Sequence, residues 1–296
     1  LAKSTLAVVT SPPSRRERLQ PIPPSADWQF HLAEGCPAHC QYCYLAGSLA
    51  GPPVVRAYAN LEEILAPLAR YEGEGTVTST SNARANEGTT FEASCYTDPL
   101  GIEHLTGSLS AAIRYFGTRP GTQLRFTTKF DGVAPLLGLD HRGRTRVRFS
   151  VNAAPVADVF EGGCARMPER LHALRRLAQD GYPVGLTIAP IMPMQHWQQH
   201  YGQLLDDVAE ALADVPGVDL TAECITHRFT PGSKEVLLGW YPRTRLDLDE
   251  SSREVKRTKF GSTKYVYRKE QMQALRGWFE RELARRLPVA RLLYWT

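Results

Sequence analysis

No stretch of this 296-residue chain approaches the ~20 consecutive apolar residues that a membrane-spanning helix needs. The opening Leu-Ala-Lys-Ser-Thr-Leu-Ala-Val-Val-Thr is too weakly apolar for a signal peptide, and it starts with Leu rather than Met, so a trimmed N-terminus is expected. Internal repeats are absent. An excess of charge of one sign is nearly absent too: 35 Lys and Arg stand against 31 Asp and Glu, a net +4, which favours a polyanionic partner only weakly. Cysteines are few, six in all, and nothing in their placing suggests a secreted disulfide scaffold. What is present is a 43% hydrophobic content, enough for one large domain or two small ones. The expected location is the cytoplasm, with no membrane partner.

Three of the cysteines sit together, in Cys36-Pro-Ala-His-Cys40-Gln-Tyr-Cys43. Spaced C-x3-C-x2-C, they can wrap one corner of a 4Fe–4S cube and hold three of its irons. Ferredoxin-type sites use four cysteines and close the cluster as an electron carrier. Here the fourth iron stays open to a small molecule. The spacing resembles the signature of radical S-adenosylmethionine enzymes, as does the aromatic Tyr42 before the third cysteine. In those enzymes the open iron takes the methionine end of the cofactor. An electron from the cluster then breaks a sulfur–carbon bond and yields a 5′-deoxyadenosyl radical. Two plainer readings stay open. A zinc site would want a fourth ligand, for which His39 is badly placed beside Cys40; a disulfide would leave one spare thiol.

Residues 1–26 are rich in Pro, Ser and Arg and read as an N-terminal arm or leader, with Arg15, Arg16 and Arg18 solvated. From Trp28 onward short apolar strands alternate with amphipathic helices. Strands are expected at 28–33, 89–95, 122–129, 146–152, 184–190 and 219–226. Helices are expected at 61–71, 102–116, 166–179 and 197–213, with a helical turn near 132–137. This alternation argues a parallel sheet with outer helices. Six units are too few to close an eight-stranded barrel, so the expected fold is α/β: a partial, open (β/α)6 barrel of the radical S-adenosylmethionine type with a C-terminal β-hairpin extension. The barrel is expected to span 27–230 and the extension 231–296. Polar residues 77–90 read as a surface loop. Active sites of such barrels lie at the C-terminal strand ends. Cys95, Thr97 and Asp98, then Lys129, Ser150 and Asn152, Ala189, and finally Glu223, His227 and Arg228 all fall there. Each alone has a plainer use, Ser150 in a turn or Glu223 in an ion pair.

From Trp28 to the C-terminus the chain resembles the spore photoproduct lyases, a DNA-repair family within the radical S-adenosylmethionine superfamily. The resemblance rests on Gly35-Cys-Pro-Ala-His-Cys-Gln-Tyr-Cys-Tyr-Leu45, Phe91-Glu-Ala-Ser-Cys-Tyr-Thr-Asp98, Gly101-Ile-Glu-His-Leu-Thr106, Thr128-Lys-Phe130, Arg148-Phe-Ser-Val-Asn152, Ala189-Pro-Ile191 and His227-Arg-Phe-Thr230. It implies reversal of a methylene-bridged thymine dimer to two thymines. It also implies a 4Fe–4S cluster on Cys36, Cys40 and Cys43, and S-adenosylmethionine held by Lys129, Ser150, Ala189 and Thr97. Cys95 would return a hydrogen atom to the product radical, its plainer reading being a small core residue. Tyr42 and Tyr44 would reset Cys95. Cys164 and Cys224 match no role and read as structural. The implied partners are damaged DNA and an external one-electron donor of flavodoxin or ferredoxin type, with the enzyme a monomer.

Residues 253–269 carry seven basic residues against Glu254 alone, with Phe260, Tyr265 and Tyr267 interleaved around Gly261-Ser262-Thr263. They read as a hairpin whose Lys256, Arg257, Lys259 and Phe260 hold DNA and wedge into its stack, since a lesion inside a duplex must be extruded. A merely solvated hairpin is the alternative. The chain departs from the family at Lys259-Phe260, where Arg-Tyr is usual, and at Tyr96-Thr97, where smaller hydroxyl residues are usual. Lys gives up the guanidinium fork and Phe the hydroxyl. Two competing functions therefore remain: a related radical enzyme acting on another nucleotide, peptide or metabolite, and a non-catalytic iron–sulfur DNA-binding or sensor protein.

Overall fold

The computed structural model describes all residues except 1, 50, 76, 79–83, 85 and 258–262. One sheet of eight strands organises the chain: β1 (Gln20–Ile22), β2 (Ala26–Phe30), β3 (Thr89–Ala93), β4 (Thr122–Thr128), β5 (Thr145–Val151), β6 (Val184–Ile191), β7 (Leu220–Thr226) and β8 (Ala290–Trp295). They lie side by side in chain order. β1 pairs antiparallel with β2, and β2 to β8 are all parallel. The sheet is an open partial barrel, wider than the six-unit reading. The extra parallel strand, β8, comes from the segment read as an extension. Thr226 N donates to Thr296 O at 2.8 Å and Thr296 N to Cys224 O at 2.9 Å, which fastens β8 along β7.

Every residue of β5 is buried, as expected where a strand is covered on both faces. One face packs outward on helices. Phe91, Leu124, Phe126, Val147, Phe149, Leu186 and Ile188 meet α1 (Ser108–Gly117), α2 (Met167–Gln179) and α3 (Trp197–Leu212) in one core. In α3 the stripe Tyr201, Leu204, Leu205, Val208, Leu212 repeats at helical spacing and is buried. α2 ends at Asp180, where Gly181 takes the left-handed conformation that helix ends favour. Emptying the centre of this layer with Phe149→Ala would cost about 3–5 kcal/mol.

The other strand face points into the barrel and is polar. Arg125 and Arg148 both pair with Glu223, Arg148 also pairs with Glu92, and the Tyr294 hydroxyl donates to Glu223 Oε2 at 2.8 Å. Burial alone would raise the Glu223 carboxyl. The Arg148 and Arg125 charges overcome it and hold the group down at about 2.

Two regions read as surface are built into the fold. Leu6–Val9 pairs in parallel with Val55–Tyr58, and Arg15 reaches buried Glu34, so the leader is partly structured rather than solvated throughout. Within 77–90, Thr78, Arg84 and Glu87 are buried. Thr78 Oγ1 donates to Asp27 Oδ2 at 2.7 Å and Arg84 Nη1 to Pro24 O at 2.9 Å. This polar loop is drawn inward because buried Asp27 needs donors. Helices α4 (Pro231–Trp240) and α5 (Lys269–Arg286) flank an antiparallel hairpin of Glu254–Arg257 with Thr263–Val266.

Candidate active site

The cysteine loop leaves β2 and returns over the C-terminal ends of the strands. Gly35 has φ +76 and lies against Val54, so a side chain there would be strained and would overlap the Val54 carbonyl. Lys3 Nζ donates to Cys36 O at 3.2 Å and to Ala38 O at 2.6 Å. The two-residue strand His39–Cys40 pairs antiparallel with Glu161–Gly162 from the β5–β6 crossover. Held at both ends, the loop directs Cys36, Cys40 and Cys43 into one cavity of about 440 Å³. That volume lies within the ordinary range of small-molecule sites.

Cys95, Tyr42, Tyr44, Thr97, Lys129, Ser150 and Ala189 line the same cavity. Every residue assigned from sequence to catalysis, cofactor or metal thus meets at one mouth. Lys129 Nζ donates to Ser150 Oγ at 2.5 Å and to Glu161 Oε1 at 3.2 Å. The Tyr42 hydroxyl also donates to Glu161 Oε1, and Arg170 closes the set from α2 at 2.5 Å from Glu161 Oε2. Burial would raise Glu161, but Lys129 and Arg170 hold it below the ordinary carboxylate value. Ala189 contributes its carbonyl, 3.5 Å from Ser150 Oγ.

Burial first, and then the Glu92 carboxylate, push the Cys95 thiol well above its usual value against the pull of Arg148. It remains S–H at neutral pH. The Tyr44 hydroxyl donates to the Cys95 carbonyl, although Tyr44 itself is 66% exposed. Tyr96, one of the departures, stacks on His31 with ring centroids 4.9 Å apart and is not among the residues that line the cavity.

The three free thiols fit a cluster better than a single ion. Among the described residues no three His, Cys, Asp or Glu side chains gather closely enough to hold one metal ion. Zinc requires that gathering, whereas a cluster gives each thiolate its own iron. A polar cofactor fits as well. Thr97 Oγ1 and Asp98 Oδ1 are buried at the cavity without a partner in the protein. Asp98 Oδ2 accepts from Lys129 N at 2.7 Å, and burial pushes Asp98 up to about 6.

Sequence reasoning placed Asp98 at the strand ends without giving it a role, and it missed Glu161, Arg148 and the nearness of Cys164 to the cysteine loop. Asp98 closes the Phe91–Asp98 block and could have been chosen from it. Glu161 and Cys164 carry no motif and arrive through the short pairing with His39–Cys40. Cys164 Sγ stands 3.6 Å from Cys40 Sγ, so it is not a remote structural residue, whereas Cys224 is buried in the core.

The hairpin joins the same mouth. Tyr265 N donates to Phe229 O at 2.8 Å, beside Arg228, which lines the cavity. Lys256 lies directly across from Lys264 and Arg257 across from Thr263. Lys259 and Phe260 lie outside the described residues.

A family model described as spore photoproduct lyase matches residues 1–296. The chain belongs to the spore photoproduct lyase family. It is 42% identical over 295 residues to a spore photoproduct lyase of Geobacillus sp. and 39% identical over 295 residues to that of Bacillus subtilis, covering 100% of this chain and 83% of each relative. Among solved structures it is similar to a mutant spore photoproduct lyase with bound AdoMet and dinucleoside spore photoproduct, with a TM-score of 0.91 and 40% identity. A spore photoproduct lyase complexed with dinucleoside spore photoproduct gives 0.89 and 41%. Both matches cover 100% of this chain and 83% of the solved one. No helix among the described residues is long and apolar enough to cross a membrane.

Proposed function

We propose that this chain is a radical S-adenosylmethionine lyase that reverts the methylene-bridged thymine dimer in damaged DNA to two thymines. The observation that carries the reading is the single cavity shared by three free cysteines, the Lys129–Ser150–Ala189 wall and a protonated Cys95. Cys36, Cys40 and Cys43 would hold the 4Fe–4S cluster. Lys129, Ser150, Thr97 and the Ala189 carbonyl would hold AdoMet, with Asp98 supplying a free carboxylate oxygen. When bound, these groups would supply the carbon radical needed to remove a hydrogen atom from ring carbon 6 of the dihydrothymine half.

The protein's own task begins after the bridge breaks. A radical on the methyl carbon of the freed thymine needs a hydrogen atom quickly. Cys95 gives one from its S–H bond, a neutral transfer that leaves no charge in the pocket. Its burial and Glu92 keep that hydrogen in place beforehand. Tyr44, hydrogen-bonded to the Cys95 backbone carbonyl, would return a hydrogen to the sulfur, a reading this proximity supports. Tyr42, hydrogen-bonded to Glu161, would relay that hydrogen on toward the cofactor. Lys256, Arg257, Lys259 and Phe260 would hold the duplex. An external one-electron donor of flavodoxin or ferredoxin type and a monomeric enzyme complete the reading.

The test is anaerobic incubation of the reconstituted protein with the lesion dinucleotide, AdoMet and a reductant. Two thymines are expected from the native chain. Cys95→Ala is expected to consume the lesion yet give mostly adducts or solvent-quenched species. Clean thymine at the native rate from Cys95→Ala would remove Cys95 from the mechanism.

A further inference from the structure

Cys164 is a thiol that the proposed chemistry does not use. Its Sγ is 3.6 Å from Cys40 Sγ, although 124 positions separate the two residues. The contact is built by the backbone. Glu161–Gly162 pairs with His39–Cys40. Gln41 N donates to Phe160 O at 2.8 Å, and Ala165 N to Lys129 O at 3.0 Å. Gly163, at φ +70, makes the turn that brings Cys164 back over Cys40. The chain on both sides of Cys164 is therefore tied to the cysteine loop and to the end of β4. Cys164 is also partly open to solvent, so a small oxidant can reach it.

An iron of a 4Fe–4S cube is complete with three sulfides and one thiolate, so Cys164 has no place on the iron that Cys40 would hold. Once the cluster is gone, nothing separates the two sulfurs. Closing 3.6 Å to a disulfide takes about 1.5 Å of movement, within the reach of side-chain rotation. We propose that Cys40 and Cys164 form a reversible disulfide when the cluster is lost to oxidation, so that a cluster ligand is stored rather than destroyed. A peroxide is the oxidant. One thiol attacks its O–O bond, giving a sulfenic acid and one water, and the second thiol displaces the sulfenic oxygen as another water. Two thiols thus lose two electrons and two protons, one S–S bond forms, and the peroxide is reduced to two waters. A dithiol reverses the step by exchange and frees Cys40. Without Cys164, further peroxide would carry Cys40 to the sulfinic acid, which thiols do not reverse.

The holoprotein is treated with hydrogen peroxide until its cluster absorption is lost, then alkylated, digested and mapped by mass spectrometry. The expected product is a peptide pair joining Cys40 to Cys164, lighter by about 2 Da than the two thiol peptides. Dithiothreitol, iron and sulfide should then restore most of the iron content. Cys164→Ala and Cys164→Ser should load a normal cluster at first, which shows that they fold. After peroxide they should recover several-fold less iron and carry sulfinic acid at Cys40. A disulfide within Cys36, Cys40 and Cys43 that leaves Cys164 free, or equal recovery by both variants, would overturn the proposal. None of these readouts depends on lyase activity.

Discussion

Inside the barrel, Glu92, Arg125, Arg148 and Glu223 are out of water and each carboxylate meets a guanidinium. At the hairpin, Lys256 faces Lys264 across the strands, with Arg228 close by, and among the described residues no carboxylate pairs with any of the three. Partial burial first, and then the Arg228 and Lys256 charges, lower the Lys264 ammonium below its ordinary value. Like charges opposite one another cost stability in a sheet. The interior is therefore finished by the protein itself, while the rim is left in need of an anion. In the proposed function a backbone of phosphates would supply it, next to Arg228 on the lining of the cavity that holds Cys95.

The largest effect should come from the interior side of the mouth. Cys36→Ala or Cys43→Ala should reduce iron from about four per chain to near zero and abolish AdoMet cleavage. Cys40→Ala is a poorer test, because Cys164 stands beside it and offers a replacement thiol. Nearly full iron in both Cys36→Ala and Cys43→Ala would mean that the loop holds no cluster.

Next comes the buried ion network. Glu223→Gln leaves Arg125 and Arg148 in the barrel without their shared carboxylate, which should cost about 3–5 kcal/mol. Lys256→Gln at the rim should stay within about 0.5 kcal/mol. Urea denaturation of both variants measures the contrast. Similar losses would show that the two regions carry charge in the same way.

The alternation of apolar runs and amphipathic stretches made β2 to β7 legible within two or three residues, because each strand repeats apolar residues at every second position on the face it packs against the helices, as Leu124 with Phe126 and Val147 with Phe149 do, while the charges between them are buried in the barrel. β8 was not. Ala-Arg-Leu-Leu-Tyr-Trp follows the charged helix α5 and faces the barrel with Tyr294, so it carries no clean period. The leader strand Leu6–Val9 was hidden by the Pro and Arg around it, and its order comes from pairing with Val55–Tyr58. In the site, residues at strand ends were readable because topology alone brings strand ends together. Glu161 and Cys164 were not, since a two-residue antiparallel pairing has no sequence signature.

The third test is binding at the rim. Replacing Lys256, Arg257 and Lys259 together should flatten the salt dependence of duplex binding by about 0.9 in log–log slope for each charge that meets a phosphate. Phe260→Ala should slow repair of a lesion duplex far more than repair of a free lesion dinucleotide, which needs no unstacking. Equal losses on both substrates would make Phe260 a wall of the pocket. An unchanged salt slope would move the DNA path away from the hairpin.

The smallest effect concerns His227, at the junction of the two regions. It is 3% exposed and directly precedes Arg228. Burial, and then the charge of Arg253, push it down to about 3. His31 is held down at about 4 by burial and then Arg15. Both folded values lie below the unfolded one near 6.5. As pH falls below 6.5 the unfolded chain takes up protons that the folded chain refuses, so stability is full above that point and declines toward pH 3–4. Each histidine adds at most about 1.4 kcal/mol per pH unit to that decline. His227→Gln should lower the slope by about one such proton between pH 4 and 6, whatever it does to stability at pH 7. The slope is read from urea midpoints across that range. An unchanged slope would mean that His227 accepts a proton in the folded protein, and that the paired, charge-excluding interior ends before the strand reaches the rim.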